Sequence, residues 1–183
     1  MGHDDAELIE RWRRGDPAAF EALVRRWEQP VGRFLFRLVG RADLAQDLCQ
    51  ELFLRVYLAG PRYRETDSFS AWLYRIALNL ARDMARRRRF EARRLPDAEA
   101  GTAPATESVC QRRELTEIVT QALAELPAPL REVLVLRHYE GMKFEEIARL
   151  LDVPASTLKS RFATALNRLR VRLEQLGWSY EET

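Results

Sequence analysis

The stretch FEEIARLLDVPASTLKSRFATALNRLRVRL, residues 144–173, decides how this chain reads. Phe144, Ile147 and Leu151 share one helical face, and Leu158, Phe162, Ala165, Leu169 and Leu173 share another. Between them Asp152-Val153-Pro154 interrupts the pattern, because proline brings no backbone N–H to a helix. Two amphipathic helices joined by so short a turn predict a helix-turn-helix. From Val153 to Leu173 there is no acid, whereas Lys159, Arg161, Arg168, Arg170 and Arg172 fall inside the window. A basic second helix suits the phosphate-lined major groove of DNA. The same pattern also fits an ordinary antiparallel helix pair with a solvated basic face, so the decision falls to the rest of the chain.

A chain of 183 residues holds one ordinary domain or two small ones. Abundant Ala, Leu, Arg and Glu, against 8 Gly and 8 Pro, predict an all-α protein. Net charge is only +2, so a nucleic-acid signal must lie in how charge is distributed. Cys49 and Cys110 are far apart and lack metal-ligand spacing, which fits a reducing compartment without a disulfide framework. Apolar runs are too short to span a bilayer, and no signal peptide is evident, so the expected place is the cytoplasm, without membrane insertion. His3 and His138 are the only histidines, and neither a phosphate-binding glycine loop nor HExxH occurs. No enzyme, metal or cofactor is expected.

Leu8, Ile9 and Trp12 make one side of a first helix, which Gly15 ends. Asp16-Pro17 then offers an N-cap and a proline at the first helical position. Phe20, Leu23, Val24, Trp27, Val31, Phe34, Leu35 and Leu38 follow at helical spacing, with a kink or break expected near Gln29 because Pro30 interrupts the pattern. Gly40 closes that helix, and Asp43-Leu44-Ala45-Gln46 resembles a capping box for the next. The new helix buries Leu44, Ala45, Leu48, Cys49, Leu52 and Val56. Its other side mixes Asp47, Gln50 and Glu51 with Leu54 and Leu58. Acids and leucines together on a face that should be wet mean either a docking surface or leucines covered by the first helix.

Arg62-Tyr63-Arg64 lies in a loop opened by Gly60-Pro61; its tyrosine either stacks a base between two cations or packs on the domain. The helix after Ser68 buries Phe69, Leu73, Ile76, Ala77, Leu80 and Met84. Its opposite face carries Arg75, Asn79, Arg82, Arg86, Arg89 and Arg93, with Trp72 at the edge. A one-sided basic helix with an aromatic alongside fits a nucleic-acid backbone. A membrane surface is the rival, but the apolar face is needed for the core. Residues 95–111 are poor in large apolar side chains and read as a flexible linker between two helical domains, 1–94 and 112–178. The second is expected to use Leu115, Ile118, Val119, Ala122, Leu123 and Leu126, then Leu130, Val133, Leu134 and Leu136, as its core, with Gly141 as a stop.

Four segments in order resemble the extracytoplasmic-function group of bacterial RNA polymerase sigma factors. FEALVRRWEQPVGRFLFRL, residues 20–38, is similar to the first helix of the family's promoter-melting domain, and DLAQDLCQELFLRVY, residues 43–57, to its polymerase-docking helix. FSAWLYRIALNLARDMARRRR, residues 69–89, resembles the melting helix. Residues 126–170, LPAPLREVLVLRHYEGMKFEEIARLLDVPASTLKSRFATALNRLR, resemble the domain whose helix-turn-helix reads the upstream promoter element.

This resemblance implies a non-enzymatic protein whose partners are core RNA polymerase, promoter DNA (both duplex and melted strand) and an anti-sigma factor. Asp47, Gln50, Glu51, Phe53 and Leu54 would dock on the polymerase clamp helices. Arg62, Tyr63 and Arg64, with Trp72 and Asn79, would meet the separated minus-ten strand, a flipped base being held in a pocket of the loop. Arg75, Arg82 and Arg86 would track phosphates. Thr157, Lys159, Ser160 and Arg161 would lie at the minus-thirty-five element. The chain departs from the family pattern at Ala163, Thr164 and Leu166, where basic positions are frequent, which concentrates readout on the first turns and on phosphate contacts. The resemblance implies no further C-terminal domain. A conventional helix-turn-helix regulator and a sigma-mimicking interaction protein remain as alternatives, but neither needs the arginine face of residues 75–93.

Overall fold

The computed structural model of the protein describes residues 2–60, 68–94 and 111–176. Every regular element among them is helical: α1 (Gly2–Arg13), α2 (Pro17–Val39), α3 (Ala42–Ala59), α4 (Phe69–Arg94), α5 (Gln111–Glu125), α6 (Ala128–Leu134), α7 (Phe144–Leu151) and α8 (Ala155–Gln175). A π-helical turn, Val135–Tyr139, continues α6. The chain divides into two compact units, Met1–Phe36 with Ala42–Pro96, and Arg37–Arg41 with Asp97–Thr183. The sequence division had kept Arg37–Arg41 with the first. The loop Arg62-Tyr63-Arg64, the linker before Gln111 and the tail after Leu176 lie outside the described residues.

In the first unit the start of α2 is built as its sequence predicts. The Asp16 carboxylate accepts the Ala18 N–H at 3.0 Å, with Pro17 opening the helix. The Arg11 guanidinium beside Asp16 (2.8 Å) holds its carboxyl below the usual range. No break occurs at Pro30, which sits inside a helix running on to Val39. An internal proline costs about 3 kcal/mol. Burying Val31, Phe34 and Leu35 completely just beyond it contributes about 1.5–3 kcal/mol each, enough to offset the lost hydrogen bond. Helix α3 begins at Ala42, so Asp43 falls in its first turn instead of capping it from outside.

Between α2 and α4 lies an aromatic seam. Tyr74 packs on Phe34 at 4.7 Å between ring centroids and meets Trp27 edge-on at 6.3 Å, while Phe69 meets Trp27 at 6.1 Å. Tyr74 and Leu78 are buried with Phe69, Leu73, Ala77 and Leu80, whereas Ile76 and Met84 are half-buried. Ala45, Cys49, Leu52 and Val56 are the buried residues of α3, which packs on α4. Burial pushes the Cys49 thiol up to about 11, so it stays protonated and behaves as a small apolar side chain. Helix α1 is fastened by Trp12, whose ring lies against Gly60 at the end of α3 and against Phe20, 5.0 Å away. Asp5, almost buried, adds an ion pair to Arg26 at 2.7 Å.

The core of the second unit joins Leu123, Leu126, Leu134 and Ala165, with Val119, Leu130, Phe162 and Leu169 packed against them. Helices α5, α6 and α7 all pack on α8. Asp152 makes the turn before α8 by adopting a left-handed conformation, φ 55°, and Val153 N–H returns to the Ala148 carbonyl at 3.2 Å. Leu150 is buried beside Ile147, a position the predicted stripe of α7 did not include. Arg172 of α8 reaches Glu125 of α5 at 2.7 Å.

A methyl group added at Gly60 would overlap the Trp12 ring. Gly60→Ala is therefore expected to destabilise the first unit by about 1–3 kcal/mol through overpacking, read as a lower Tm in thermal denaturation followed by circular dichroism. An unchanged Tm would show that α1 is not held there.

Candidate nucleic-acid and protein interfaces

Helix α3 presents two chemically distinct sides. Opposite its buried stripe, Asp47, Gln50, Leu54, Tyr57 and Leu58 are exposed and Glu51 is half-buried, all within one arc. Leu54 is 54% and Leu58 is 69% exposed, so helix α1 does not cover them. Tyr57, 55% exposed, belongs to this arc too. Its spacing of seven from Gln50 was the available sequence signal. The Tyr57 ring meets Phe20 edge-on at 5.2 Å, which steadies one end of the arc. Phe53 is half-buried at the flank of the arc, not in its middle. Glu51 pairs with Arg55 one turn on, at 2.8 Å, and both side chains are nearly half exposed. Such a pair contributes at most about 1 kcal/mol and exchanges readily for an outside partner.

At the end of this arc, Trp12, Arg13, Gly15, Asp16, Pro17, Tyr57, Leu58 and Gly60 line a cleft of about 390 Å³. Acidic at Asp47 and Glu51 and apolar at Leu54 and Leu58, the arc fits a partner that offers cations beside an apolar ridge.

Helix α4 is divided in the same way. Ser68 caps it, accepting the Ala71 N–H at 3.3 Å. With the aromatic seam fixing its rotation, Asn79, Arg82, Arg86 and Arg89 are exposed and Arg75 is half-buried, along one line. Trp72 lies at the edge of that line, its ring 5.8 Å from Phe69 and tilted to it. Arg86 holds Asp83 at 2.7 Å in an exposed pair that a phosphate can displace. The Arg62-Tyr63-Arg64 triplet cannot be compared with this face, since it is outside the described residues.

On α8, Thr157, Lys159 and Ser160 are exposed and Arg161 is half-buried, in the first two turns. Thr164 spends its hydroxyl on the Ser160 carbonyl, 2.9 Å away, and Leu166 is 44% exposed. Thr157, Lys159 and Ser160 thus stand exposed ahead of the self-bonded Thr164. The structure keeps Lys159 and Arg161 within one turn of each other, but the α3, α4 and α8 faces belong to separate helices, and the last to a separate unit.

Comparison with known proteins follows the same division. Residues 23–91 match the family model of sigma-70 region 2, and residues 116–169 match that of sigma-70 region 4. The chain is similar to the RNA polymerase sigma-H factor of Pseudomonas aeruginosa, 33% identical with 94% of this chain and 95% of that protein covered. Similarity to the ECF RNA polymerase sigma-E factor of Haemophilus influenzae is 34% identity, covering 94% and 96%. Among solved structures, CnrH in complex with the cytosolic domain of CnrY matches with a TM-score of 0.71 at 23% identity, covering 94% of this chain and 98% of that one. The sigma factor RpoE in complex with the anti-sigma factor NepR from Bartonella quintana matches with a TM-score of 0.66 at 23% identity, covering 85% and 96%. Among the described residues, no helix is long and apolar enough to cross a membrane.

If Leu54 and Leu58 are surface groups, replacing both with Ser leaves stability within about 0.5 kcal/mol per site. Chemical denaturation measures this, and a loss of about 2 kcal/mol or more would return them to the core.

Proposed function

The chain belongs to the extracytoplasmic-function sigma factors of the sigma-70 family, and on that premise we propose that its exposed faces divide promoter recognition between them. It is a transcription initiation factor and not an enzyme. The observation that carries the residue assignments is the exposure, within one small unit, of an acid-and-leucine arc on α3 and an arginine line on α4 that the core does not use. On this reading Asp47, Gln50, Glu51 and Leu54 dock on core RNA polymerase, Tyr57 and Leu58 extend the dock, and Phe53 braces its flank. Its place of action is the cytoplasm.

Arg75, Arg82 and Arg86 follow phosphates, as cations on one helix face do when each contact releases a counterion. Trp72 and Asn79 meet the unwound strand, joined by Arg62, Tyr63 and Arg64. Stacking and cationic contact offset lost base pairing there, at about 1–3 kcal/mol per stacked base. Thr157, Lys159, Ser160 and Arg161 read the upstream element in the major groove, with phosphate contacts setting register and few side chains reaching base edges. An anti-sigma protein holds the factor inactive by covering these surfaces; the similar sigma factor RpoE was captured with the anti-sigma factor NepR.

Run-off transcription with purified core polymerase on a genomic promoter library tests the whole reading: promoter-specific transcripts are expected, and their absence together with absent core binding would sink it. Reversing Asp47 and Glu51 to Lys is expected to weaken core binding at least tenfold in a pull-down titration while leaving the helical signal unchanged, since the Glu51–Arg55 pair is worth only about 0.5 kcal/mol. Unaltered affinity would move the dock off α3. Neutralising Arg75 and Arg82 to Gln should impair open-complex formation more than core binding, and normal permanganate reactivity of promoter thymines would count against that assignment.

A further inference from the structure

Phe144, the first residue of α7, is only half-buried, and its ring gathers two cations. The Arg137 guanidinium carbon lies 5.2 Å from the ring centroid and the Lys159 ammonium 6.0 Å. Arg137 is itself anchored, donating to the Met142 carbonyl at 2.9 Å. The ring is held from another side by Phe162 of α8, edge-on at 5.8 Å. Behind it the start of α7 is fixed by Glu146, whose carboxylate accepts the Lys143 N–H at 2.6 Å. A half-exposed aromatic at this place in a helix-turn-helix is thus not merely core. It is a rigid π surface, reached by a cation from the turn before α7 and by one from the first turns of α8.

We propose that Phe144 is a positioning residue for Lys159, using its ring face to restrict the lysine stem so that the ammonium is presented beside the first turns of α8. This rests on the reading that Lys159 contacts the upstream promoter element. A free lysine side chain carries several soft dihedrals and loses substantial rotamer freedom when it contacts DNA. A cation resting on an aromatic face before binding has already given up part of that freedom, so the contact forms at lower cost. The attraction at an exposed site corresponds to about a two- to fivefold change in an equilibrium. That is enough to matter where the later turns offer Ala163, a self-satisfied Thr164 and Leu166. Arg137 shares the ring without displacing Lys159, because its guanidinium is tied back to the Met142 carbonyl.

The test is a double-mutant cycle on holoenzyme, with a labelled duplex recovered from a randomised pool by the wild-type holoenzyme as probe. Phe144→Leu keeps apolar bulk but removes the π face; it is expected to weaken duplex binding about two- to fivefold. In a Lys159→Ala background the same substitution is expected to cost nothing further. Phe144→Tyr is expected to restore wild-type affinity. A separate readout needs no DNA: in NMR of the full chain, the Lys159 ε-methylene protons are shifted upfield by the ring current and return to ordinary values in Phe144→Leu. An equal loss from Phe144→Leu with and without Lys159 would reduce Phe144 to packing and overturn the inference. If Lys159→Ala alone leaves duplex binding unchanged while the upfield shift is present, the assignment of Lys159 to the promoter is what fails, and the positioning role falls with it.

Discussion

Tyr74 is seated between Trp27 and Phe34, and the orientation of α4 depends on that seat. A helix held by aliphatic side chains alone can roll by a fraction of a turn at small cost. Interlocked rings cannot, because their preferred edge and offset geometries contribute about 0.5–1.5 kcal/mol per pair beyond area burial. Once Tyr74, Ala77 and Leu80 are fixed inward, the side chains from Arg75 to Arg89 have only one direction left. The arginine line is thus a consequence of core packing, and its spacing survives because the core beneath it is rigid.

The same logic explains why α3 can carry leucines outside. Its inner stripe of Ala45, Cys49, Leu52 and Val56 holds it on α4, so Asp47, Gln50, Leu54 and Leu58 can stay outside the core, with only Tyr57 leaning on Phe20. Exposed leucines are an aggregation hazard in a monomer. Here Asp47 and Glu51 sit on the same arc and keep it hydrated, as a dock for a partner of complementary charge requires. A purely apolar arc would bind many proteins, and a purely acidic one would bind any polycation weakly. The mixture supplies selectivity by penalising both kinds of wrong partner.

Much of this was legible in the sequence because amphipathic helices announce their buried stripe through spacing. The helix-turn-helix, the arginine face of α4 and the acid-leucine face of α3 all follow from periods of three and four. What spacing could not settle was whether Leu54 and Leu58 were covered, because that depends on where α1 lies. Trp12 against Gly60 and Phe20 places α1 at the end of α3, away from Leu54. The break allowed for at Pro30 does not occur, for a related reason. The local rule gives the cost of the missing hydrogen bond, but the compensating burial of Val31, Phe34 and Leu35 is tertiary. Tyr57 and the cation-bearing ring of Phe144 were missed because aromatic residues at helical spacing are most often core; the exposure of Tyr57 and the cations Arg137 and Lys159 over Phe144 are tertiary facts.

The two units solve different recognition problems with one device, a helix whose inner side is spent on packing and whose outer side is reserved. They differ in what each outer side must do. In the proposed reading α4 meets a charged backbone, for which a line of cations suffices and exact side-chain posture matters little. In the same reading α8 meets base edges, where a misplaced donor gains nothing and leaves a polar group unpaired. Posture then has to be fixed by neighbours, and α8 has few to spare: Thr164 turns back to Ser160, and Arg172 is committed to Glu125. The rigid start of α7 is the nearest structure able to supply that constraint. In the positioning role proposed for Phe144, a half-exposed ring beside the first turns of α8 does for Lys159 what the aromatic seam does for the whole of α4.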